Sequence, residues 1–383
     1  MCYHFGRPEV SGSGGKIVGA ITQFGWCGVD LFFVLSGFLI TGILLDTRDR
    51  PAYFETFYRR RILRIFPLYF AFVALFMYVI APRLPGPPAD LVARQQWLWT
   101  YLANFDIARH GWYAGVGSNA NNLWSLAIEE QFYLVFPLAV FLLSRRRVGA
   151  LAIGCVFIAI ASRIALAHAG YPSRMGYVLT FAHFDGLGCG ALLAVLAREG
   201  NALDRLAPLA RAVVPLSLCA VVAIAIHVGR FSLSDWTTLQ YGLPAVAIGF
   251  AALLLLAVAP AGSPALRKLF ESRLLRFFGL YSYGLYIWHP MVGGLVRRAG
   301  FDQRFVAGVL HSSSAAIIIT VVGKIAAGTL IAVVSYHVLE RPFLRLKDRR
   351  PRRKSEPQLE PRSEPRSEPR SEPQPAAVPA ASL

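Results

Sequence analysis

Long apolar blocks of about 20 residues recur along the chain, and short polar loops separate them. A helix of about 20 apolar residues crosses the hydrocarbon core of a bilayer, so each block predicts a membrane-spanning helix. The pattern therefore predicts an all-α, multi-pass membrane protein. The predicted spans are residues 26–45, 62–81, 123–143, 149–168, 177–197, 211–228, 240–259, 277–296 and 315–338.

The composition agrees with this pattern and excludes an ordinary soluble protein. Hydrophobic residues make up 55% of the chain, charged residues only 16%, and the mean hydropathy is +0.48. A net charge of +17 would suggest nucleic-acid binding in a soluble protein. Here most of the Arg lies in short loops and in the C-terminal tail, so we expect the partner to be the lipid bilayer and not nucleic acid.

The distribution of basic residues also predicts the orientation. Alternate loops are rich in Arg and Lys, and such loops face the cytoplasm. We therefore expect a multi-pass protein of the cell (inner) membrane with a cytoplasmic C-terminus. The basic loops contain Arg48, Arg50 and Arg59–Arg61, then Arg145–Arg147, then Arg198 and Arg205, then Arg267, Lys268, Arg273 and Arg276.

This orientation requires one more helix before the first span. Residues 6–25 must lie outside, yet only Met1–Phe5 precede them. We interpret Met1–Phe5 as the outer end of a first helix whose upstream part is missing from this sequence, through a misassigned start or a truncation.

Two polar regions complete the predicted organisation. Residues 82–122 form a long outer loop with an interfacial helix, in which Trp97, Trp99 and Trp112 are typical of membrane-interface anchors. Residues 346–383 repeat SEPR-like units and have too little apolar surface to fold. The prediction is thus one transmembrane domain, residues 1–345, followed by a disordered basic cytoplasmic tail.

Ionisable side chains inside predicted spans are the first candidates for chemistry, because a charge in hydrocarbon is costly and is retained where it has a function. The five cysteines lie far apart without CxxC or Cys/His spacing, which predicts no disulfide framework and no metal site. The ionisable candidates are His4, Asp30, Arg61 with Arg64, Glu129 and His289.

Arg61 and Arg64 are three residues apart at the predicted inner start of a span, which places them on one helix face. A guanidinium stays charged and can bind phosphate oxygens bidentately, so this face suits a phosphorylated donor. Contact with lipid headgroups is the alternative. Pro67 follows and can kink the helix.

His4 and Asp30 are predicted at the same depth near the outer side. Imidazole accepts a hydroxyl proton near neutral pH, and a carboxylate on its other nitrogen fixes the tautomer. A structural role for His4 is the alternative.

Glu129 lies in the outer half of a span, on a different face from Glu130 and Gln131. The alternative to a functional Glu129 is a neutral glutamate that packs the bundle.

His289 precedes Pro290, which predicts a local break in the helix backbone, and irregular backbone at that depth lines a cavity. The alternative is a histidine bonded to a carbonyl that the proline leaves free. Ser125, Tyr133 and Tyr286 are further candidates, with His289, for the lining of a cavity or acceptor site.

Since no GxSxG, Walker or HExxH motif occurs, direct transfer by a general base is favoured over a covalent intermediate.

Four stretches in order, GWCGVDLFFVLSGFLIT, FYRRRILRIFPLYF, NLWSLAIEEQFYLVFP and YSYGLYIWHP, make the chain resemble the acyltransferase family 3 membrane proteins. The resemblance covers residues 1–345. It implies a bundle of about ten helices with both termini cytoplasmic. In the family a long first helix precedes a tyrosine-histidine pair, which Tyr3 and His4 match.

The resemblance also implies an activity. Such proteins move an acyl group, commonly acetyl, from acyl-coenzyme A to a hydroxyl of a carbohydrate or related acceptor, with no permanently bound cofactor. It implies that His4 is catalytic, that Arg61 and Arg64 form an essential Arg-x-x-Arg pair, and that Asp30 and Glu129 occupy acidic motif positions. A transporter or flippase of a lipid-linked sugar is the alternative from another class, and a scaffold without activity is a third.

Overall fold

The computed structural model describes residues 23–83, 89–299 and 303–346, and within these ranges the regular structure is entirely helical. We label the nine long helices α1 to α9 and name shorter ones by their residues. They are α1 Gly28–Thr47, α2 Tyr53–Ala74, α3 Leu123–Leu142, α4 Arg145–His168, α5 Phe184–Leu196, α6 Ala202–Val228, α7 Leu243–Val258, α8 Arg273–Arg298 and α9 Ser313–Ser335.

The predicted fold class, an all-α multi-pass membrane protein, is confirmed. Among the described residues, seven helical segments, those containing α1, α2, α3, α4, α6, α7 and α9, are long and apolar enough to cross a membrane. The apolar helix Phe181–Leu196 that contains α5 is shorter. Helix α8 has the length, but charged and polar side chains interrupt its apolar surface.

Helix α2 begins earlier than predicted. It starts at Tyr53, after Ala52 in the left-handed region (φ 56°), and its first turns bury Tyr53 and Phe57. The helix therefore begins nine residues before the predicted span start at residue 62, because these turns are amphipathic and the apolar pattern alone does not include them. Arg61 consequently lies about two turns inside the helix.

The predicted span 177–197 is interrupted. A short helix, Ser173–Val178, is followed by the 3-10 turn Phe181–His183 and then by α5. Arg163 of α4 donates to the carbonyl of Ala182 (2.7 Å) and to the carboxylate of Asp185 (2.7 Å). This guanidinium therefore satisfies the Ala182 backbone carbonyl at the interruption and pairs with the Asp185 carboxylate.

The break predicted at Pro290 is wrong, since α8 is continuous through it. Proline has no N–H to offer the carbonyl of Tyr286 four residues earlier. That carbonyl instead accepts from the Asn122 side-chain amide (2.6 Å) and lies 2.8 Å from His289 Nδ1. The contact with a freed carbonyl that the alternative interpretation of His289 expects is thus present, and the role of His289 in a cavity or acceptor site stays a prediction.

Helices α1 and α5 pack closely at the centre of the bundle. A Cβ on Gly37 would lie 2.2 Å from the Leu187 carbonyl oxygen, and one on Gly190 would lie 2.0 Å from the Val34 carbonyl oxygen. Glycine at both positions therefore permits backbone contact between the two helices, a common way for membrane helices to associate.

The region predicted as an outer loop is compactly folded where it is described, with three short helices, Ala89–Ala93, Gln95–Trp99 and Ala103–His110. Asp106 is buried and bonds Arg94 (2.8 Å) and the Tyr113 hydroxyl (2.5 Å). Burial and this bond to Asp106 raise the pKa of Tyr113 above its ordinary value.

The predicted tail begins at the edge of the described range, so its disorder and the domain boundary stay predictions.

Candidate active site

The centre of the candidate site is the carboxylate of Glu129 on α3. Glu129 is 7% exposed. The Ser36 hydroxyl of α1 donates to its Oε1 (2.7 Å), the Tyr133 hydroxyl donates to the same oxygen, and the two hydroxyls are 2.8 Å apart. Tyr133 follows Glu129 by four residues, which is why one helix face presents both.

Neighbouring polar side chains of α3 face other directions, as predicted. The Gln131 amide donates to the Tyr101 carbonyl (3.0 Å) and to the Asn104 side chain (3.0 Å), which belong to the 89–122 region. Glu130 shares none of the hydrogen bonds made by Gln131 or Glu129. Its Oε1 is buried without a hydrogen-bond partner among the described residues. Glu129 alone of the three belongs to the cluster with Ser36.

Arg61 of α2 borders the Glu129 cluster. Its side chain is half-buried, and its guanidinium carbon lies 5.5 Å from the centroid of the Tyr133 ring and 5.7 Å from that of Phe57. Cations at such distances are attracted by an aromatic face. Arg64 is exposed one turn further on.

A second cluster lies on the same face of α3, one turn before Glu129. The Ser125 hydroxyl bonds the Tyr286 hydroxyl of α8, and Tyr286 also donates to the Asn122 carbonyl (3.0 Å). His289 lies one turn along α8, with Nδ1 on the Tyr286 carbonyl. The structure therefore brings three of the predicted cavity residues, Ser125, Tyr286 and His289, into one cluster, while Tyr133 belongs to the Glu129 cluster.

The two clusters form one continuous polar stripe along α3, from Asn122 through Ser125 and Glu129 to Tyr133. Eleven residues separate its ends, which corresponds to about 16 Å along a helix. Phe32 of α1 stacks on the Tyr286 ring, with 6.2 Å between the ring centroids.

Asp30 has a partner among the described residues that was not predicted. It is buried at the start of α1, and its Oδ1 lies 3.2 Å from His183 Nε2. A second buried pair, Arg163 with Asp185 (2.7 Å), lies beside it. His4 lies outside the described residues, so its predicted pairing with Asp30 stays a prediction.

Five residues of these clusters were missed by sequence reasoning. Arg163, His183 and Asp185 are ionisable residues within predicted spans, so the criterion that selected Glu129 could have found them. Ser36 and Asn122 carry no such signal, because small polar residues are common in membrane helices and only their partners distinguish them.

The described residues contain no group of His, Cys, Asp or Glu that could hold a metal ion. The described cysteines, Cys27, Cys155, Cys189 and Cys219, are free thiols. The side chains in and beside the two clusters carry carboxylate, hydroxyl, imidazole and guanidinium groups.

Comparison with known proteins identifies the family. Residues 1–337 match the family model described as an acyltransferase domain, and the chain belongs to that family. This confirms the resemblance drawn from the four sequence motifs.

Curated relatives carry related names. The chain is 30% identical to a putative peptidoglycan O-acetyltransferase of Bacillus subtilis, over 83% of this chain and 50% of that protein. It is 34% identical to the peptidoglycan O-acetyltransferase of Listeria monocytogenes, over 69% of this chain and 44% of that protein. The chain thus spans about half the length of these relatives. No solved structure matches it.

Proposed function

We propose that this protein is a membrane O-acetyltransferase that transfers an acyl group, acetyl in the first instance, from acyl-coenzyme A to a hydroxyl of a carbohydrate or glycoconjugate. The observation that carries the proposal is the polar stripe through the bundle, which joins Arg61 to Glu129 and to the Ser125–Tyr286 pair. Family membership and the O-acetyltransferase names of the relatives support it.

We assign the Tyr133 end of the stripe, which Arg61 of α2 borders, to the donor, and include Arg64 one turn along α2. Coenzyme A carries several phosphates, and guanidinium groups bind phosphate oxygens through paired N–H donors. Exposed Arg64 would meet the donor first, and half-buried Arg61 would hold it beside the Glu129 cluster. We place this end on the cytoplasmic side of the cell membrane, together with the C-terminus, from the distribution of basic loops.

The Ser125–Tyr286–His289 cluster forms the acceptor end, where hydroxyl and imidazole groups can hydrogen-bond a sugar. In the transfer step, the acceptor oxygen attacks the thioester carbonyl carbon and the coenzyme A thiolate leaves. A general base takes the proton of the acceptor hydroxyl. We assign this role to His4, oriented by Asp30, and propose that Glu129 positions the acceptor or the histidine.

The test uses membranes that contain the full chain and acetyl-coenzyme A labelled in the acetyl group. We expect loss of thioester and appearance of label in cell-surface glycan. Glu129→Gln should lower the transfer rate about 100-fold or more, the range typical of a lost acid–base or positioning group. The control is Glu199→Gln, at an exposed glutamate away from the stripe.

Wild-type membranes that neither consume acetyl-coenzyme A nor label any glycan would contradict the proposal, and a transporter would give that result. Replacement of His4 by Ala should abolish transfer and leave membrane insertion intact, whereas retained activity would remove His4 as the base.

A further inference from the structure

His183 is a buried histidine that the proposed chemistry does not use. Its side chain is fully buried, at the end of the 3-10 turn Phe181–His183 that precedes α5. Its Nε2 lies 3.2 Å from Oδ1 of Asp30 on α1, within ion-pair distance. Beyond this contact, neither ring nitrogen has a hydrogen-bond partner among the described residues. The polar group that this imidazole faces is therefore the Asp30 carboxylate.

Three aromatic rings fix the orientation of the His183 imidazole. The ring centroids of Phe33, Tyr177 and Trp124 lie 4.9, 5.2 and 5.4 Å from that of the imidazole, each in an edge-to-face arrangement. Edge-to-face pairs favour particular ring orientations. The guanidinium of α4 that bonds the carbonyl just before His183 also anchors the turn. The imidazole is thus held in place from α1, α3 and α4.

The two oxygens of the Asp30 carboxylate have different surroundings. Oδ1 faces His183, whereas Oδ2 is buried without a hydrogen-bond partner among the described residues. A buried carboxylate oxygen without a partner is costly, so its retention calls for a donor during the reaction. Because a carboxylate is planar, a fixed contact at Oδ1 limits the directions that Oδ2 can face, as supporting contacts do for other functional side chains.

We propose that His183 is a positioning residue for Asp30. The N–H at Nε2 holds Oδ1, so that Oδ2 is directed to the N–H of the general base. This inference rests on the proposed function, which assigns the base to His4 oriented by Asp30. It adds a second histidine, on the other oxygen of the same carboxylate, that acts through Asp30 and touches neither donor nor acceptor.

Two substitutions separate positioning from packing. His183→Phe keeps an aromatic ring among the three neighbouring rings and removes both nitrogens. His183→Gln loses the ring and keeps an amide N–H donor that can reach the position of Nε2. Positioning predicts that Gln retains more of the transfer rate than Phe, whereas a packing role predicts the reverse order and would overturn the inference. The same two changes at exposed His227 are the matched controls.

The readout is transfer of the labelled acetyl group in membranes that contain the full chain, expressed per amount of folded protein. His183→Phe should lower kcat about 100-fold, the cost of misplacing a catalytic group by roughly 1 Å. The KM for acetyl-coenzyme A should stay unchanged, because the lost interaction does not hold the donor. A raised KM with unchanged kcat, or a rate equal to that of His227→Phe, would overturn the inference.

A double-mutant cycle tests whether His183 acts through Asp30. In an Asp30→Asn background, His183→Phe should cause no further loss of kcat, because residues that act through each other are not additive. A further loss would contradict the proposal. The same comparison decides the matter if His183→Phe alone fails to fold, since Asp30→Asn removes the buried charge that this variant leaves without its partner.

The two proposals fail differently. Wild-type membranes that neither consume acetyl-coenzyme A nor label glycan contradict the proposed function. Wild-type membranes that transfer the acetyl group, with His183→Phe indistinguishable from His227→Phe, contradict only the role of His183.

Discussion

The Ser36 hydroxyl of α1 donates a hydrogen bond of 2.7 Å to the buried carboxylate of Glu129 on α3. The two residues are 93 positions apart in the sequence. This bond joins the helix of the GVDLFFVLSGF stretch to the helix of the LWSLAIEEQFY stretch at the centre of the candidate site. It makes Ser36 part of the site, although its residue type alone does not distinguish it.

Ser36→Ala tests this bond. The substitution leaves the buried Glu129 oxygen with one donor fewer, which should lower the free energy of unfolding by about 1–3 kcal/mol. Thermal unfolding in detergent would measure the change, together with the transfer rate. Ser282→Ala is the control, because Ser282 is exposed and bonds only the Gly279 carbonyl of its own helix. A Ser36→Ala protein as stable and active as this control would show that the bond has no role.

Arg163→Met should destabilise the bundle strongly. It leaves Asp185, which is almost fully buried, without its ion-pair partner. Breaking a buried pair in this way costs about 3–5 kcal/mol, whereas replacing both partners by apolar residues can be nearly neutral. The double substitution Arg163→Met with Asp185→Leu should therefore recover most of the folded fraction, measured by size-exclusion chromatography in detergent. No recovery would mean that Arg163 acts chiefly through the Ala182 carbonyl.

Gly190→Ala should separate α1 from α5. The added Cβ would lie 2.0 Å from the Val34 carbonyl oxygen, a distance that only backbone movement can relieve. We expect a loss of thermal stability and of transfer, because α1 carries both Asp30 and Ser36. Gly154→Ala on α4 is the control, since nothing lies within 4 Å of its added Cβ. Alanine there should be neutral or stabilising by up to about 1 kcal/mol.

Tyr113 should make stability depend on alkaline pH. Burial and Asp106 raise its pKa in the folded protein, so the unfolded chain ionises first as the pH passes the ordinary tyrosine value of about 10. The stability due to this group is present below that pH and is lost as the pH rises through the raised pKa. Thermal unfolding at pH 8 and pH 10.5 should therefore show a smaller decrease for Tyr113→Phe than for wild type. Equal decreases would contradict this assignment.

The sequence by itself determined the class of protein and most of its helices. Apolar blocks of bilayer length and the loop arginines do not depend on tertiary packing, because each helix satisfies its own backbone in lipid. The cost of burying charge likewise singled out Glu129, Arg61 and Arg64 as candidates, and the structure places Arg61 beside the Glu129 cluster.

Only the tertiary structure decided which side chains meet. Asp30 lies opposite His183, Asn122 satisfies the carbonyl left free by Pro290, and Arg163 stabilises the interruption before α5. In each case the partner belongs to a distant segment. Its position depends on how the helices pack and rotate against one another, and periodicity within a single helix carries no information about that.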